Sequence, residues 1–266
     1  MKKPKTYKIN DTTYCMIDGL NRASIYLLTG KEKALLIDTG NGDTDLKAKV
    51  EELTDLPVIV VNTHGHFDHT RGNYLFGEAY ISNKEAETLS RHNDPDWVVR
   101  LMTGELPKWA KILFLRKLRK STVYKPWKAL PLPEEGYFEL GDKRIAFFET
   151  PGHTPGSISL MDKENRILFT GDTTCSGVLL NLEESADVET FRDTLIKILQ
   201  AAEENNVDTI YTGHTDSIYN QEFLRRFIAH CNDLLNSRVP EEVLKSGISK
   251  QGNTTLKFKP DMIRKK

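Results

Sequence analysis

Short apolar runs broken by turn residues fill roughly the first sixty positions, the pattern of sheet strands rather than of long helices. Thr13–Ile17, residues 23–28 and Ala34–Ile37 are rich in β-branched and aliphatic side chains, and glycine-containing turns divide them. Residues 57–61 form a continuous apolar run of strand length, which predicts a strand buried in a sheet. Before it, residues 43–53 carry Leu46, Val50 and Leu53 at helical spacing. Strand-like runs return at 144–148, 166–169 and 208–211. Residues 188–203 (Phe191, Leu195, Ile198 and Leu199) and Gln221–Leu235 (Phe223, Leu224, Phe227, Ile228 and Leu235) read as amphipathic helices. Strands alternating with helices predict an α/β fold. Residues 84–128 read as a helical insert with all three tryptophans, Trp97, Trp109 and Trp127, and a basic stretch at 116–120. After Pro240 the chain turns polar and basic, and its last residues are expected to fray.

The candidate chemistry lies where the apolar runs stop. His64-Gly65-His66-Phe67-Asp68-His69 follows the run at 57–61 almost at once, His153 follows 144–148, Asp172 follows 166–169, and His214 follows 208–211. Loops held at strand ends by a rigid sheet are where functional groups concentrate. Five of the seven histidines fall in these motifs, and with two aspartates they supply donors for two metal ions. Zinc takes imidazole nitrogen and carboxylate oxygen, and a catalytic site keeps a position open for water. A divalent ion lowers the pKa of bound water to about 7, and two ions also polarise the substrate oxygen. Asp68 is placed to orient the metal-bound hydroxide and take its proton. The expected cofactors are two Zn²⁺, with iron or manganese as alternatives.

Composition narrows the rest. The chain has 266 residues, 38% hydrophobic and 28% charged, which suits a globular protein with a sizeable core. A net charge of -1 gives no electrostatic reason to expect nucleic acid or an anionic membrane as partner. Three scattered cysteines, Cys15, Cys175 and Cys231, fit a reducing compartment better than a disulfide framework. No apolar segment follows the basic residues at 2–5, so no signal peptide is read and a cytoplasmic location is expected. The Asn253-Thr254-Thr255 sequon then has no use. His92 reads as a solvated helix residue, His230 as structural or exposed, and Cys175 as packing. Asp38, in Asp38-Thr39-Gly40, reads either as support for a ligating histidine or as a plain turn residue. Tyr26 and Tyr219 are candidate oxyanion donors that nothing in the sequence places.

His64-x-His66-x-Asp68-His69, Thr150-Pro151-Gly152-His153-Thr154-Pro155-Gly156-Ser157, Phe169-Thr170-Gly171-Asp172-Thr173 and Gly213-His214 together resemble the metallo-β-lactamase superfamily of hydrolases. The likeness runs from about Tyr14 to His214, roughly three-quarters of the chain. It implies a four-layer αββα sandwich, a single domain over 1–266 with the 84–128 insert as pocket wall or lid, and metals at one edge of the sheets. It also implies that His64, His66 and His153 hold one ion, that Asp68, His69 and His214 hold the other, and that Asp172 bridges them. True β-lactamases usually carry another residue type at the Asp172 position. The bridging aspartate therefore points away from antibiotic hydrolysis and toward the thioesterase, lactonase and phosphodiesterase branches.

The expectation is a dinuclear metal-dependent hydrolase that cleaves a small thioester, lactone or carboxylic ester. The stretch from Thr150 to Gly156 looks like the glyoxalase II motif, but no glutathione-binding segment is recognisable after His214. The alternatives are a phosphodiesterase or nuclease of the same superfamily, which the charge balance disfavours, and an iron-dependent oxidoreductase such as a sulfur dioxygenase.

Overall fold

The computed structural model describes residues 2–19, 21–104, 107, 125–214 and 218–265. Trp109, the basic stretch at 116–120 and most of the second half of the expected insert lie outside the described residues, as does Thr215. The chain divides into two compact units, Met1–Leu132 and Pro133–Lys266.

The first unit is built on a seven-stranded sheet whose spatial order follows the chain. Its strands are β1 (Lys5–Asn10), β2 (Thr13–Ile17), β3 (Ser24–Thr29), β4 (Ala34–Ile37), β5 (Val58–Val61), β6 (Glu78–Ile81) and β7 (Lys128–Pro131). The first four pair antiparallel, and β4 through β7 run parallel. β4 is buried at every position, as a parallel strand covered on both faces must be. β1 has no apolar run to announce it. It is a mostly exposed edge strand carrying Lys5 and Lys8, and charged edges discourage pairing with other chains.

Helix α1 (Leu46–Leu53) sets Leu46 and Val50 into the core formed by Met16, Ile25, Leu27, Leu36 and Val60. It starts three residues later than its periodicity suggests, because Thr44 gives its hydroxyl to Asp18 at 2.5 Å and belongs to the preceding loop. The short helix α2 (Phe67–Thr70) follows β5 and leads into a 3₁₀ turn at Arg71–Leu75. The described part of the insert is helical as expected: α3 (Ala86–Asn93) and α4 (Pro95–Thr103), with Pro95 at the first turn of α4 and the Asp94 carboxylate capping the Asp96 N–H at 2.8 Å.

The second unit has a five-stranded sheet in the order β13-β11-β10-β9-β8 and a three-stranded sheet in the order β12-β15-β14. The strands are β8 (Tyr137–Glu139), β9 (Arg144–Glu149), β10 (Ile158–Asp162), β11 (Ile167–Phe169), β12 (Gly177–Leu180), β13 (Thr209–Tyr211), β14 (Ile248–Gln251) and β15 (Thr254–Phe258). Helices α5 (Val188–Glu204), α6 (Gln221–Leu235) and α7 (Glu241–Ser246) complete it. α5 and α6 share one core, where the Phe191 and Phe227 rings meet edge to face at 5.4 Å. Truncating such a buried ring costs about 3–5 kcal/mol.

The polar stretch after Pro240 forms regular elements up to Phe258. β14 pairs with β15 around a two-residue turn, Gly252-Asn253, with Gln251 opposite Thr254 and Gly252 at φ +55°. A Gly-Asn pair between alternating residues is a hairpin signal. Thr254, Leu256 and Phe258 alternate inward, and β15 runs parallel to β12. Among the described residues no helix is long and apolar enough to cross a membrane.

Candidate metal centre

In the first unit, parallel pairing sets β4 and β5 side by side, with Ile37 opposite Val61 and the Asp38 N–H donating to the Val61 carbonyl at 2.8 Å. Asp38 and the His64 motif therefore leave the sheet at the same edge. His64, His66, Asp68 and His69 are all buried. The His64 ring lies 4.5 Å from that of His66 and 4.2 Å from that of His69, centroid to centroid. Donor atoms of His64 and His66 come within 4.8 Å of each other, as do those of Asp68 and His69.

The residues behind these donors fix how they face. Asp38 Oδ2 lies 2.8 Å from His69 Nδ1 and accepts the Thr63 hydroxyl at 2.8 Å, while its Oδ1 accepts the Thr63 N–H at 2.8 Å. A carboxylate accepts only, so the His69 proton sits on Nδ1 and Nε2 carries the lone pair that a metal takes. Asp38 does this from φ +62°, a left-handed conformation that aspartate tolerates better than most residues. Asp38 is thus more than a plain turn residue: it holds the His69 ring. Thr63 Oγ1 stands 3.0 Å from His64 Nδ1, which likewise turns Nε2 of that ring to the donor side. Asn21 donates its amide to Asp68 Oδ2 at 3.1 Å, a partner that nothing in the sequence pattern announces.

The insert contributes directly to this loop. Glu85, fully buried, accepts the Gly65 N–H at 2.7 Å, and a Cβ at Gly65 would lie 2.7 Å from the same oxygen. Only glycine fits that approach. His92, expected on a solvated face, is 1% exposed and stacks on His66. Its Nδ1 accepts the Phe67 N–H at 3.2 Å, and Trp97 lies against its ring at 4.4 Å. The solvated reading fails because α3 turns His92 inward onto α2, while Phe67 packs with Val98 and Val99. Arg71 lies 5.1 Å over the Phe67 ring, and burial lowers its pKa to about 10 against the opposing pull of Asp68.

In the second unit, β11 and β13 are parallel neighbours with Phe169 opposite Tyr211. Asp172 and His214 each stand three residues past that pair, so the shared register brings them together. The Gly213 N–H donates to the Gly171 carbonyl at 2.7 Å and ties the two loops. Gly171 sits at φ +52°, which glycine adopts without strain. His153, past the end of β9, presents Nε2 3.5 Å from Asp172 Oδ2, and His214 presents Nε2 3.3 Å from the same oxygen. His153 Nδ1 is held by the Leu179 carbonyl at 2.9 Å. The structure thus gathers His64, His66, Asp68 and His69 in one unit and His153, Asp172 and His214 in the other. Both clusters combine imidazole and carboxylate donors, the types that divalent ions take.

Cys175 packs in the core beside Val178 and Phe223, as expected, with Sγ 3.9 Å from Asp172 Oδ1. Tyr219 is buried and stacked on Phe223 at 3.8 Å, and Tyr26 is a buried residue of β3.

Residues 18–214 match the Metallo-beta-lactamase superfamily. A human protein named acyl-coenzyme A thioesterase MBLAC2 is 28% identical over 222 residues, 77% of each chain. A hydroxyacylglutathione hydrolase of Pelagibacter ubique is 25% identical over 229 residues, 85% of this chain and 79% of that one. Among solved structures, the BLEG-1 B3 metallo-beta-lactamase superposes with a TM-score of 0.57 at 22% identity, covering 79% of this chain and 95% of the other, a likeness of fold. The mixed α/β architecture, the spacing of the histidine and aspartate motifs and the match over 18–214 agree: the chain belongs to the metallo-β-lactamase superfamily and is a hydrolase of that fold.

Proposed function

We propose that the chain is a dinuclear metal-dependent hydrolase of thioesters. His64, His66 and His153 would hold one ion, Asp68, His69 and His214 would hold the other, and Asp172 would be shared. The observation that carries this reading is the placement of Asp172 between two histidines assigned to different ions: Oδ2 is 3.5 Å from His153 Nε2 and 3.3 Å from His214 Nε2. An aspartate so placed suits a bridge. Relatives named thioesterase and hydroxyacylglutathione hydrolase support the thioester, since both names denote cleavage of a thiol ester. Zinc is the ion that this nitrogen and oxygen donor set favours.

Two divalent ions held there would supply water activation near neutral pH and polarisation of the substrate carbonyl. Asp68 would orient the attacking water and accept its proton, with the Asn21 amide holding Oδ2 in place. Asp38 and Thr63 engage Nδ1 of the His69 and His64 rings and so fix how the rings face. The ligand set draws on residues throughout 64–214, so we read 1–266 as one functional domain. The 84–128 insert serves as a pocket wall, a role supported by His92 and Trp97 lying against the His64 loop. Three buried cysteines suit a cytoplasmic enzyme.

The test is turnover by zinc-loaded and chelator-stripped protein on thioesters, lactones, carboxylic esters and phosphodiesters. Metal-dependent cleavage confined to thioesters is the expected result. Cleavage confined to phosphodiesters would replace the thioester, and iron with colour in the purified protein would replace hydrolysis by redox chemistry.

A further inference from the structure

Four cations surround a cavity at the same edge of the seven-stranded sheet that carries the His64 loop. The strand registers place them there. Val61 at the end of β5 lies opposite Ile37 at the end of β4, and Ile37 lies opposite Tyr26 near the start of β3. Ser24 lies opposite Ile17 at the end of β2, and Ile17 lies opposite Lys5 at the start of β1. The segment before Lys5, the turn after Ile17, Asp38 and the His64 loop therefore all leave the sheet on one side. A cavity of about 280 Å³ opens between the segment before Lys5 and the turn after Ile17, lined by Lys2, Lys3, Lys5 and Arg22 together with Asp18 and Thr44.

The Lys2 carbonyl accepts the Asp45 N–H at 3.0 Å, and Lys3 pairs with Glu52. The Lys5 ammonium lies 4.8 Å over the Tyr7 ring. Asp18, the acid that lines the cavity, accepts the Asn41 backbone N–H and the Thr44 hydroxyl. Asp43 lies behind Gly19, where a Cβ would come within 2.7 Å of its carboxylate. Burial, and then the Asp18 charge, raise the pKa of Asp43. Four cationic side chains thus line the cavity with one acid, Asp18, and Glu52 pairs with Lys3. Arg22 directly follows Asn21, so one turn carries both a residue of the cavity and the residue that donates to Asp68.

We propose that this cavity binds a phosphate group on the thiol half of the substrate and so makes the enzyme selective for phosphorylated thioesters over glutathione thioesters. The proposal rests on the thioesterase reading. Pockets that enclose a drug-sized ligand span roughly 300–1,000 Å³, so this one takes a phosphate or diphosphate and leaves the acyl end to the metal loop. Lysine binds phosphate as a point charge, and such contacts weaken as salt screens them.

The experiment compares kcat/KM for acyl-coenzyme A, which is phosphorylated, and for a glutathione thioester, in the wild type and in the Lys2→Ala/Lys5→Ala double variant. In parallel, calorimetry measures binding of adenosine 3′,5′-bisphosphate and of inorganic phosphate. The expected result is a fall of about tenfold in the ratio of the two kcat/KM values, carried by KM, with weaker bisphosphate binding and recovery in Lys2→Arg/Lys5→Arg. An unchanged ratio, or an equal loss on both substrates, overturns the cavity's role and leaves the thioesterase reading standing. Inorganic phosphate binding as tightly as the bisphosphate also overturns it, because the site is then one for free anions. If the wild type cleaves neither thioester, that reading fails and calorimetry decides alone. Bisphosphate bound by the wild type and lost in the double variant sustains the phosphate site. Equal binding, or none, removes it.

Discussion

The imidazole of His92 lies flat on that of His66, with ring centroids 4.2 Å apart and planes 15° from parallel. The same His92 accepts the backbone N–H of Phe67, the next residue along the metal loop. One side chain of the insert thus fixes both the ring plane of a proposed ligand and the backbone that carries it. His92→Ala is expected to weaken zinc affinity by about 10–100-fold, the usual effect of losing a group that orients a ligand. Competition against a chromophoric chelator measures this, and the visible spectrum of the cobalt-substituted protein reports the altered geometry. His92→Phe keeps the stack without the acceptor and should fall between the two. Unchanged affinity and spectrum, with only a lower melting temperature, would make His92 a packing residue.

The ligand loops are legible in the sequence because each follows an apolar run that ends abruptly. Parallel register does the rest: once β11 and β13 align Phe169 with Tyr211, Asp172 and His214 meet without any further signal. His92 and Glu85 are not legible in the same way. Both are polar residues of the kind expected on a solvated face, and their burial comes from α3 folding back onto α2, which local periodicity does not encode. The Gly252-Asn253 turn does carry a local signal, but a polar composition and a neighbouring sequon mask it.

Asp38→Asn tests the orientation of His69. The carboxylate receives the Thr63 N–H, the Thr63 hydroxyl and the His69 ring proton. An amide offers one oxygen in place of two and sets an NH₂ against one of those donors, so either the His69 tautomer or the Thr63 contacts must give way. Metal affinity should drop about 10–100-fold. Full zinc occupancy of the variant at stoichiometric metal, read by elemental analysis after dialysis, would show that Asp38 does not set the ring.

Asp172→Ala and His66→Ala should each abolish hydrolysis while circular dichroism and the melting transition of the metal-free protein stay close to wild type. Chelator treatment of the wild type should have the same effect on activity and should be reversed by zinc. The two substitutions remove different donors, so a dinuclear site should fall from two bound ions toward one or none. Near-normal turnover in either variant removes the dinuclear proposal.

His230 gives a pH-dependent stability prediction away from the metal loops. It is buried on α6, with Nδ1 2.8 Å from the Thr254 hydroxyl and Nε2 2.7 Å from the Ser249 hydroxyl, so it ties the helix to the β14–β15 hairpin. Burial lowers its pKa below the ordinary 6.5, with Asp233 opposing. The unfolded chain therefore binds the proton first as pH falls, and folding stability drops between the unfolded and folded pKa values. The contribution is fully present above about pH 6.5 and is lost as pH falls through the lower, folded value. In His230→Asn that loss is absent, so melting temperatures of wild type and variant should converge between about pH 7 and pH 5. At neutral pH the variant should be less stable by roughly 1–3 kcal/mol, since a buried hydroxyl loses its partner. Parallel melting curves across that range would mean that the folded protein holds His230 at its ordinary pKa.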